Sequence, residues 1–328
     1  MTDLRKIRVA VAGVGGFGKN HARVWGAMEG VELAAILDEN KERAAQVAAE
    51  FNTKAADDLD DLAKAGIDAV SVAVPTTDHA DIGCRLLDAG IDVLVEKPMA
   101  ASLAEADKLI AAANRAGRIL QIGHVERFNG AVTAAQKIIS KPMFFEVHRL
   151  GIFTPRSLDV DVVYDVMIHD LDILLALVDA PIVDLKAVGI PVITDKVDIA
   201  HARVEFETGT VANVTASRVS TERVRKMRFF QAHEYVSLDF ARQDVLRIRV
   251  QPGTPQPGIG FEKLPATTEE PLKAELGAFA DCVRTRKAPV VDGAAGRRAL
   301  ELADRVMAGI QEHGKRVQAS AFASLSTP

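Results

Sequence analysis

The sequence predicts an α/β protein with an N-terminal doubly wound parallel sheet and a C-terminal α+β domain that has a large, mostly antiparallel open sheet. Over residues 1–122, apolar runs alternate with amphipathic stretches of roughly 10–15 residues, which is typical of parallel strands with helices on both faces. Over residues 123–328, several runs alternate between apolar and polar residues, as in strands with one buried face. The length of 328 residues also favours two domains over a single core.

Five apolar runs supply the strands of the predicted parallel sheet. They are IRVAVAG (7–13), VELAAILD (31–38), DAVSVAVP (68–75), DVLVEKP (92–98) and RILQIGH (118–124). The stretches between them have helical character, and one carries a start signal. Ser102 precedes that helix and Glu105 follows three residues later, which is the spacing of a capping box.

The second half predicts one long apolar helix at about 162–178, a meander of strands, and two closing helices at about 271–286 and 294–312. The sequence ETGT at 207–210 predicts a hairpin turn. An open antiparallel sheet has a second face that must be covered, and a second subunit can bury it. We therefore expect a homodimer or homotetramer that associates through residues of about 185–250.

Composition and charge argue against several classes of protein. The formal net charge of −5 argues against a nucleic-acid-binding face. No apolar run approaches the roughly 20 residues that span a bilayer, so no membrane partner is expected. The N-terminus passes from a short charged segment directly into the first strand, which leaves no room for a signal peptide. Cys84 and Cys282 lie far apart without metal-ligand spacing. We therefore expect free thiols, no metal site and a cytoplasmic location.

The glycines of residues 13–18 fit the pattern G-x-G-x-x-G, with Gly13, Gly15 and Gly18 at its glycine positions. Glycine runs also form hinges and helix caps, but this one follows a strand and opens a helix, as a Rossmann dinucleotide-binding loop does. Gly13 permits the tight turn, Gly15 the close approach of a pyrophosphate, and Gly18 the contact between helix and strand. Gly16 and Phe17 complete the loop, so we expect all five residues to contact the phosphates through their backbone.

Asp38 stands at the end of the second predicted strand, twenty residues after Gly18. A carboxylate at this position accepts hydrogen bonds from both ribose hydroxyls and repels a 2′-phosphate. The alternative role for Asp38 is to cap the helix that follows. Together with the glycine loop, its placement predicts a dinucleotide site that favours NAD over NADP.

Two further segments, VAVPTTDHADI (72–82) and VLVEKPMA (93–100), carry a resemblance to a known family. With the glycine loop and the antiparallel second half, they resemble the Gfo/Idh/MocA family of nicotinamide-dependent sugar and cyclitol dehydrogenases. The resemblance covers essentially the whole chain, and it implies NAD as cofactor. It assigns cofactor contacts in these segments to Pro75, Thr76, His79, Glu96 and Lys97. For His79, helix capping or packing remains an equal alternative.

Lys97 can also be interpreted without the resemblance. Ligands of open α/β sheets bind outside the carboxyl ends of the strands, and Lys97 follows such an end. Its ammonium can donate to a substrate oxygen and stabilise alkoxide character there. The alternative is a solvated lysine paired with Glu96.

The long apolar helix carries the candidate acid and base. Asp165, His169 and Asp172 have the spacing i, i+4 and i+7, which places them on one stripe of a regular helix. A solvent-facing stripe on an otherwise buried helix is the alternative. The resemblance implies that Asp165 and His169 complete a catalytic set with Lys97. In that set His169 is the general base, Lys97 polarises the hydroxyl oxygen, Asp165 orients substrate or histidine, and hydride passes to the nicotinamide.

Three segments indicate a branch of the family: GHVERFN (123–129), DVMIHDLDIL (165–174) and ASRVSTERVRKMRFF (216–230). They are similar to the UDP-N-acetylglucosamine 3-dehydrogenases and related nucleotide-sugar oxidoreductases. Arg127, after the sixth strand, is the leading additional substrate-binding candidate, with a structural ion pair as the alternative. A basic cluster either neutralises a substrate diphosphate or forms a charged outer face. It consists of Arg218, Arg223, Arg225, Lys226 and Arg228.

The sequence thus predicts an NAD-dependent dehydrogenase that oxidises a secondary hydroxyl of a sugar or nucleotide sugar. An inositol or free-sugar dehydrogenase of the same family is the first alternative. A regulatory protein that binds NAD without chemistry is the second. A redox-neutral enzyme that keeps its cofactor bound through the cycle is the third.

Overall fold

The computed structural model describes residues 5–154, 160–251 and 258–325 of the chain. They belong to two compact units, each assembled from two segments of the sequence. The first unit comprises the chain up to Phe128 together with Glu270–Arg297. The second comprises Asn129–Glu269 and the chain from Arg298 onwards.

The described residues contain the following regular elements. The helices are α1 (Gly18–Gly26), α2 (Lys41–Glu50), α3 (Leu59–Lys64), α4 (His79–Asp88), α5 (Leu103–Ala116), α6 (Gly130–Gln136), α7 (Ile168–Leu177), α8 (Pro271–Thr285) and α9 (Gly293–Leu325). The strands are β1 (Ile7–Ala12), β2 (Val31–Leu37), β3 (Lys54–Ala55), β4 (Ala69–Val72), β5 (Asp92–Glu96), β6 (Leu120–Gly123), β7 (Phe144–Leu150), β8 (Ile182–Ile190), β9 (Ile199–Phe206), β10 (Val211–Ser217), β11 (Val224–Gln231), β12 (Glu234–Asp239), β13 (Asp244–Gln251) and β14 (Gly258–Leu264).

The first unit contains a six-stranded sheet in the order β3-β2-β1-β4-β5-β6. Neighbouring strands run parallel throughout, which confirms the predicted doubly wound architecture. The chain reverses its direction of winding between β1 and β4, so the carboxyl ends of these strands form a topological switch point. The two-residue strand β3 and the short helix α3 were not among the predicted elements, because neither is long enough to show a period.

Local signals explain several helix ends of the first unit. Ser102 caps α5 by accepting the backbone N–H of Glu105, and the carboxylate of Glu105 accepts the backbone N–H of Ala101. This confirms the capping interaction predicted from the spacing. The helix ends at Gly117, whose φ of 61° places it in the left-handed region that glycine adopts at helix ends.

The second unit contains an eight-stranded sheet in the order β14-β13-β12-β11-β7-β10-β9-β8. Only β7 and β10 pair in parallel among these described strands, so the mostly antiparallel sheet is confirmed. The predicted ETGT turn joins β9 to β10, where Gly209 has φ 81°. One face of the sheet packs against apolar side chains of α6, α7 and α9.

The predicted apolar helix at 162–178 is present, but its first turn is not regular. Residues Val163–Met167 form a π-helix, and α7 continues from Ile168. Two contacts from outside the helix hold the start of this segment. The carboxylate of Asp161 accepts the backbone N–H of Val197 at 2.8 Å, and the hydroxyl of Tyr164 donates to Asp304 at 2.7 Å.

The final helix extends beyond its predicted end at residue 312. α9 runs from Gly293 to Leu325. Residues 313–325 contain one glycine and no proline, and most of the others are favourable in helices. The local sequence therefore supports the continuation that the apolar periodicity did not show.

Candidate cofactor-binding and active site

The glycine loop has two positions that the fold itself requires to be glycine. Gly13 has φ 83°, and a Cβ there would lie 2.7 Å from the backbone of Ala73 and Val74 after β4. A Cβ at Gly18 would overlap the carbonyl oxygen of Gly13. The loop can thus form between β1 and α1 only if both side chains are absent.

The other two glycines of the loop have a different environment. Among the described residues, none beyond the immediate chain neighbours lies within 4 Å of the position that a Cβ would occupy at Gly15 or Gly16. No side chain caps the N-terminus of α1, and the neighbouring Phe17 is 44% exposed. Backbone N–H groups at the start of a helix bind anions. Open space at Gly15 and Gly16 therefore fits a dinucleotide pyrophosphate on this loop.

Asp38 is buried at the end of β2 and is held by four hydrogen bonds. Its carboxylate accepts the backbone N–H groups of Val14 at 2.8 Å and Asn40 at 2.9 Å. Arg43 of α2 donates to both oxygens, at 3.1 Å from Nε and 2.7 Å from Nη2. Burial acts to raise the pKa of Asp38, but the bonds from Arg43 and the backbone outweigh it and lower the pKa. Asp38 is therefore ionised at neutral pH.

A cavity of about 530 Å³ lies at the carboxyl ends of β1, β2 and β4. Asp38 and Pro75 line it together with the glycine loop. Its volume is in the range of ordinary ligand pockets. The lining also includes Lys41, Arg43 and Arg85, as well as the acidic residues Glu39, Asp57, Asp58 and Asp78. The cavity lies within the first unit and fits the nucleotide part of the cofactor.

His79 begins α4 and is 1% exposed. Its Nδ1 lies 2.9 Å from the carbonyl oxygen of Pro98, and its Nε2 lies 3.0 Å from that of Val74. Burial lowers the pKa of His79 despite these two carbonyl partners. The imidazole thus links the segment after β4 to the segment after β5, and Thr76 lies beside it in the short 3₁₀ turn Thr76–Asp78.

Glu96 and Lys97 follow one another at the end of β5 but have different surroundings. Glu96 is 6% exposed, its Oε1 lies 3.1 Å from Nε2 of His21, and its Oε2 accepts the backbone N–H of Lys97. Gly123 of β6 makes room for this carboxylate, because a Cβ at that position would overlap it. Lys97 is half-buried and is joined to Pro98 by a cis peptide bond. Glu96 therefore faces the interior of the first unit.

In the second unit, Asp165 lies in the π-helix and His169 in α7, and both side chains are half-buried. Asp172, the third member of the predicted stripe, is only 2% exposed. A solvent-facing stripe therefore does not describe Asp172. Burial of a carboxylate in an apolar helix requires compensating partners within the protein.

Sequence reasoning missed a buried ion pair beside His169. Asp170 is fully buried. Its carboxylate accepts hydrogen bonds from Nε and Nη2 of Arg149 in β7, at 2.8 and 2.7 Å. The guanidinium also lies 4.9 Å from the ring centroid of Phe240. A signal was present, because Arg149 occupies an inward position of the alternating strand after Phe145 and Val147.

The basic cluster does not act as one surface. Arg218 is buried and donates to Asp198 at 2.7 Å and to the carbonyl oxygen of Val160 at 2.7 Å. Arg228 lies on the sheet and contacts Glu146 at 2.9 Å. Arg223 and Arg225 are exposed. Arg218 thus supports the start of the helix that carries Asp165, and because it is buried it belongs neither to a charged outer face nor to an exposed diphosphate-binding cluster.

Arg127 lies in a short 3₁₀ turn, Val125–Phe128, directly after β6. Its side chain is half-buried. The turn is fixed by the backbone N–H of Arg127, which donates to the carbonyl oxygen of His124 at 2.9 Å. The residue therefore lies near the end of the first of the two segments that make up the first unit.

Comparison with protein families gives matches to two adjacent models. Residues 7–124 match the model described as oxidoreductase family, NAD-binding Rossmann fold, and residues 121–232 match the GFO/IDH/MocA C-terminal domain. The UDP-N-acetylglucosamine 3-dehydrogenase of Acidithiobacillus ferrooxidans is 39% identical over 308 residues, which cover 93% of this chain and 97% of that protein. The chain belongs to the Gfo/Idh/MocA family. It is an NAD-dependent oxidoreductase, as the glycine loop and the Glu-Lys-Pro segment predict.

Other relatives and solved structures agree with this assignment. The scyllo-inositol 2-dehydrogenase (NAD(+)) of Bacillus subtilis is 28% identical over 310 residues, covering 87% of this chain and 89% of that protein. A solved structure of the A. ferrooxidans enzyme superposes with a TM-score of 0.88 at 38% identity, covering 94% of this chain and 98% of that one. Levoglucosan dehydrogenase in complex with NADH has a TM-score of 0.85 at 18% identity, with 94% and 97% of the chains covered, and shares the fold.

The described residues contain neither a membrane-spanning helix nor a metal-binding cluster. None of the helices in the described part of the chain is both long and apolar enough to cross a membrane. Among the same residues, no group of three or more His, Cys, Asp or Glu side chains is arranged to hold a metal ion. Cys84 and Cys282 are free, and burial raises the pKa of both thiols, so neither is a ready nucleophile.

Proposed function

We propose that this oxidoreductase oxidises a secondary hydroxyl of a nucleotide sugar, with UDP-N-acetylglucosamine as the first candidate substrate. The observation that carries the proposal is the 39% identity to a UDP-N-acetylglucosamine 3-dehydrogenase over 93% of the chain. That similarity spans the second unit as well as the NAD-binding unit. It therefore includes the segments that give members of a dehydrogenase family their different substrates.

For cofactor binding we assign the pyrophosphate to the backbone of the glycine loop and the adenosine ribose to Asp38. Open space at Gly15 and Gly16 and the ionised carboxylate of Asp38 support these roles. Pro75, Thr76 and Glu96 are assigned to the remaining part of the dinucleotide, and His79 holds the two strand ends that carry them. When bound, the nicotinamide accepts the hydride that leaves the carbon of the reacting hydroxyl.

For the reaction, we assign removal of the hydroxyl proton to His169 and polarisation of the hydroxyl oxygen to Lys97. The imidazole of His169 takes the hydroxyl proton as general base, because a neutral imidazole has a ring nitrogen that can accept a proton. The ammonium of Lys97 donates to the same oxygen and stabilises its developing negative charge. Asp165 and Arg127 bind and orient the sugar. With the dinucleotide bound, the hydroxyl oxygen would lose its proton to His169 and the carbon that bears it would lose a hydride, so that the secondary alcohol would become a ketone.

The test is a substrate screen with NAD, in which reduced nicotinamide is followed by its absorbance. UDP-N-acetylglucosamine, other UDP-sugars, free sugars and inositols are compared at equal concentration. Lys97→Ala and His169→Ala should each lower kcat by at least ~100-fold while the affinity for NADH is retained. Lys186→Ala is the matched control, since Lys186 is an exposed lysine of β8. Unchanged turnover in both site variants contradicts the assignment of roles.

The same screen separates the alternatives. Turnover of inositols or free sugars but not of UDP-sugars supports the cyclitol or simple-sugar alternative, to which the B. subtilis relative points. Binding of NAD without turnover of any substrate supports a regulatory protein. Nucleotide found by mass spectrometry of the denatured protein, without net reduction in the assay, supports a redox-neutral cycle.

We also propose a homodimer or homotetramer formed through the exposed face of the eight-stranded sheet. Apolar residues at paired positions of six neighbouring strands form a row across this face. The row consists of Val211, Phe144, Phe230, Tyr235, Ile248 and Phe261. Phe144 stacks on Phe230 with centroids 5.6 Å apart, and Phe261 is 71% exposed. A contiguous apolar row of this kind is typical of a protein interface.

Light scattering during gel filtration tests the oligomer. The native chain should elute as a dimer or tetramer at micromolar concentration, and Phe230→Glu should shift it towards the monomer. A monomeric native chain contradicts the proposal. We further propose a cytoplasmic location, which two free thiols support, and which fractionation of the source cells tests.

A further inference from the structure

The first turn of the helix that carries Asp165 and His169 is not that of a regular α-helix. Residues Val163–Met167 form a π-helix, and the backbone N–H of Ile168 donates to the carbonyl oxygen of Val163, five residues earlier. Single π-turns within α-helices are rare overall and frequent at functional sites. This one contains Asp165 and ends two residues before His169.

The π-turn changes how Asp165 is aligned with His169. In an α-helix of 3.6 residues per turn, side chains four positions apart are offset by about 40° around the axis. A turn closed by i→i+5 bonds contains more residues, so each residue advances by a smaller angle. Asp165 is thus brought closer to the line of His169 than a regular helix would place it. The residues that we propose to orient the sugar and to take its proton depend on this turn for their relative position.

The turn begins without a local cap and is held by a distant segment. No side chain caps the start of the π-helix or of α7. Val197 binds the two residues just before the turn: its carbonyl oxygen accepts the backbone N–H of Val162 at 2.9 Å, and its own N–H donates to the carboxylate of Asp161 at 2.8 Å. These bonds fix where the helix starts, and they act before the turn rather than within it.

Tyr164 supplies a contact from within the turn. Its hydroxyl donates to Oδ1 of Asp304 in α9 at 2.7 Å, and both side chains are half-buried in the second unit. Burial, and then the hydrogen bond to Asp304, raise the pKa of Tyr164, so the phenol remains a donor at neutral and mildly alkaline pH. Tyr164 directly precedes Asp165. A fixed Tyr164 side chain consequently fixes the direction in which Asp165 leaves the helix axis.

We propose that Tyr164, held by Asp304, is a positioning residue for the reaction, because it keeps the π-turn in the rotation that aligns Asp165 with His169. Tyr164 acts through these two residues and need not touch the sugar or the cofactor. The proposal rests on the roles that we propose for Asp165 and His169 in sugar oxidation. It requires turnover to depend on a single phenol hydroxyl in the second unit.

The first test is steady-state kinetics with NAD and UDP-N-acetylglucosamine, or the sugar that replaces it in the screen, well below the unfolding temperature of every variant. Tyr164→Phe should lower kcat by ~10-fold or more, because small displacements of reacting groups are costly. The KM for the sugar and the affinity for NADH should stay within ~3-fold, since no contact with either is removed. A tyrosine with a merely structural role would lower stability and leave kcat unchanged.

Tyr235→Phe is the matched control. It removes the hydroxyl of the other tyrosine of the chain, which lies in β12 of the same unit. This variant should keep the native kcat, because β12 is not part of the helix that carries Asp165.

Variants of Asp304 separate the hydrogen bond from the other properties of the two side chains. Asp304→Asn keeps an Oδ1 acceptor for the phenol, so its kcat should stay within ~3-fold of the native value. Asp304→Leu removes the acceptor and should match Tyr164→Phe. The double variant Tyr164→Phe/Asp304→Leu should be no slower than either single variant, since all three lose the same bond.

The second test needs no activity. Hydrogen–deuterium exchange of the full-length chain, followed by mass spectrometry over residues 161–169, reports the π-turn directly. The backbone N–H of Ile168 should exchange at least ~5-fold faster in Tyr164→Phe than in the native chain, the factor of roughly one ordinary hydrogen bond. Asp304→Asn and Tyr235→Phe should exchange at the native rate.

Two results overturn the proposal while leaving sugar oxidation in place. One is a native kcat in Tyr164→Phe when His169→Ala is inactive, which would leave Tyr164 no part in the reaction. The other is native exchange at Ile168 in Tyr164→Phe, which would show that the π-turn does not depend on the hydroxyl. Full activity of His169→Ala is a different failure: it contradicts the proposed catalytic roles, and with them the reason for this alignment.

Discussion

The two units of this chain build their functional regions by opposite means. In the first unit, the decisive positions lack side chains: Gly13 and Gly18 allow two backbone segments to approach, and Gly123 makes room for Glu96. In the second unit, the helix that carries Asp165 and His169 is fixed by buried charges, Arg149 with Asp170 and Arg218 with Asp198.

This difference has a consequence for how each unit tolerates change. A glycine that permits close backbone approach fails when any atom is added, because the clash is with backbone that cannot rotate away. A buried ion pair fails when one partner is removed, because the other charge is left without compensation. The first unit is thus sensitive to added volume, and the second to lost charge.

The largest effect is expected for Gly18→Ala. Its methyl group would overlap the carbonyl oxygen of Gly13, so the loop or α1 must shift. We expect the free energy of unfolding of the first unit to fall by at least ~3 kcal/mol and NADH binding to be lost. Chemical denaturation and NADH titration measure the two effects. Gly16→Ala is the control at an open position and should change stability by less than ~1 kcal/mol. Equal stability of the two variants would show that the loop relaxes easily.

A loss of unfolding free energy of similar size, without a direct effect on the NAD loop, is expected for Asp170→Ala in the second unit. It leaves the guanidinium of Arg149 buried without its carboxylate, which costs roughly 3–5 kcal/mol in comparable pairs. Denaturant unfolding measures the change. The double variant Arg149→Met/Asp170→Leu should recover most of the loss, since both charges are then absent. Asp184→Ala is the control, because its ion pair with Lys186 is exposed and contributes less than ~0.5 kcal/mol. A single variant as stable as the native chain would contradict the role of this pair.

The second unit should also lose stability in acid through Asp198. Burial acts to raise the pKa of Asp198, but three backbone N–H groups and Arg218 lower it far below its usual value. Its contribution is therefore present above pH ~4, where the unfolded residue is ionised, and is lost as the pH falls. Between pH 4 and pH 2.5, the unfolding free energy of the native chain should fall faster than that of Asp198→Asn, by up to ~1.4 kcal/mol per pH unit. Parallel slopes in denaturation at several pH values would rule out this contribution.

The features that the sequence predicts correctly are those that depend on local patterns. The glycine loop, the switch from period-free to alternating strands, and the Ser102 cap are local patterns, and each leads directly to a structure. Asp38 was placed correctly at the end of β2, because a strand end is also a local feature. Its bond to Arg43 was not predicted, although Arg43 lies only five residues away, because a side chain on the next helix has several possible partners.

What the sequence did not predict depends on residues that are distant along the chain. The π-turn at Val163–Met167 is fixed by contacts with Val197 and Asp304, and no property of the helix itself signals them. The sequence made Arg218 a candidate for binding a substrate diphosphate. Its actual partner is Asp198, which lies twenty residues earlier, just before β9. Charge alone cannot distinguish a surface cluster from a set of separate buried pairs.

The smallest effect on the unfolding free energy is expected at His79 of the first unit. His79 is buried in the same unit as the glycine loop. Its two ring nitrogens face the carbonyl oxygens of Pro98 and Val74. Burial lowers its pKa, so the unfolded chain takes up a proton at a higher pH than the folded chain does. Its contribution to stability is therefore present above pH ~6.5 and is lost as the pH falls below that value. Denaturation of the native chain and of His79→Gln over pH 5–7.5 measures this, and the variant should show the flatter profile. If the native chain instead gains stability relative to His79→Gln as the pH falls, the two carbonyl oxygens hold an imidazolium, and the first unit would contain a buried cation in addition to the buried carboxylate of Asp38.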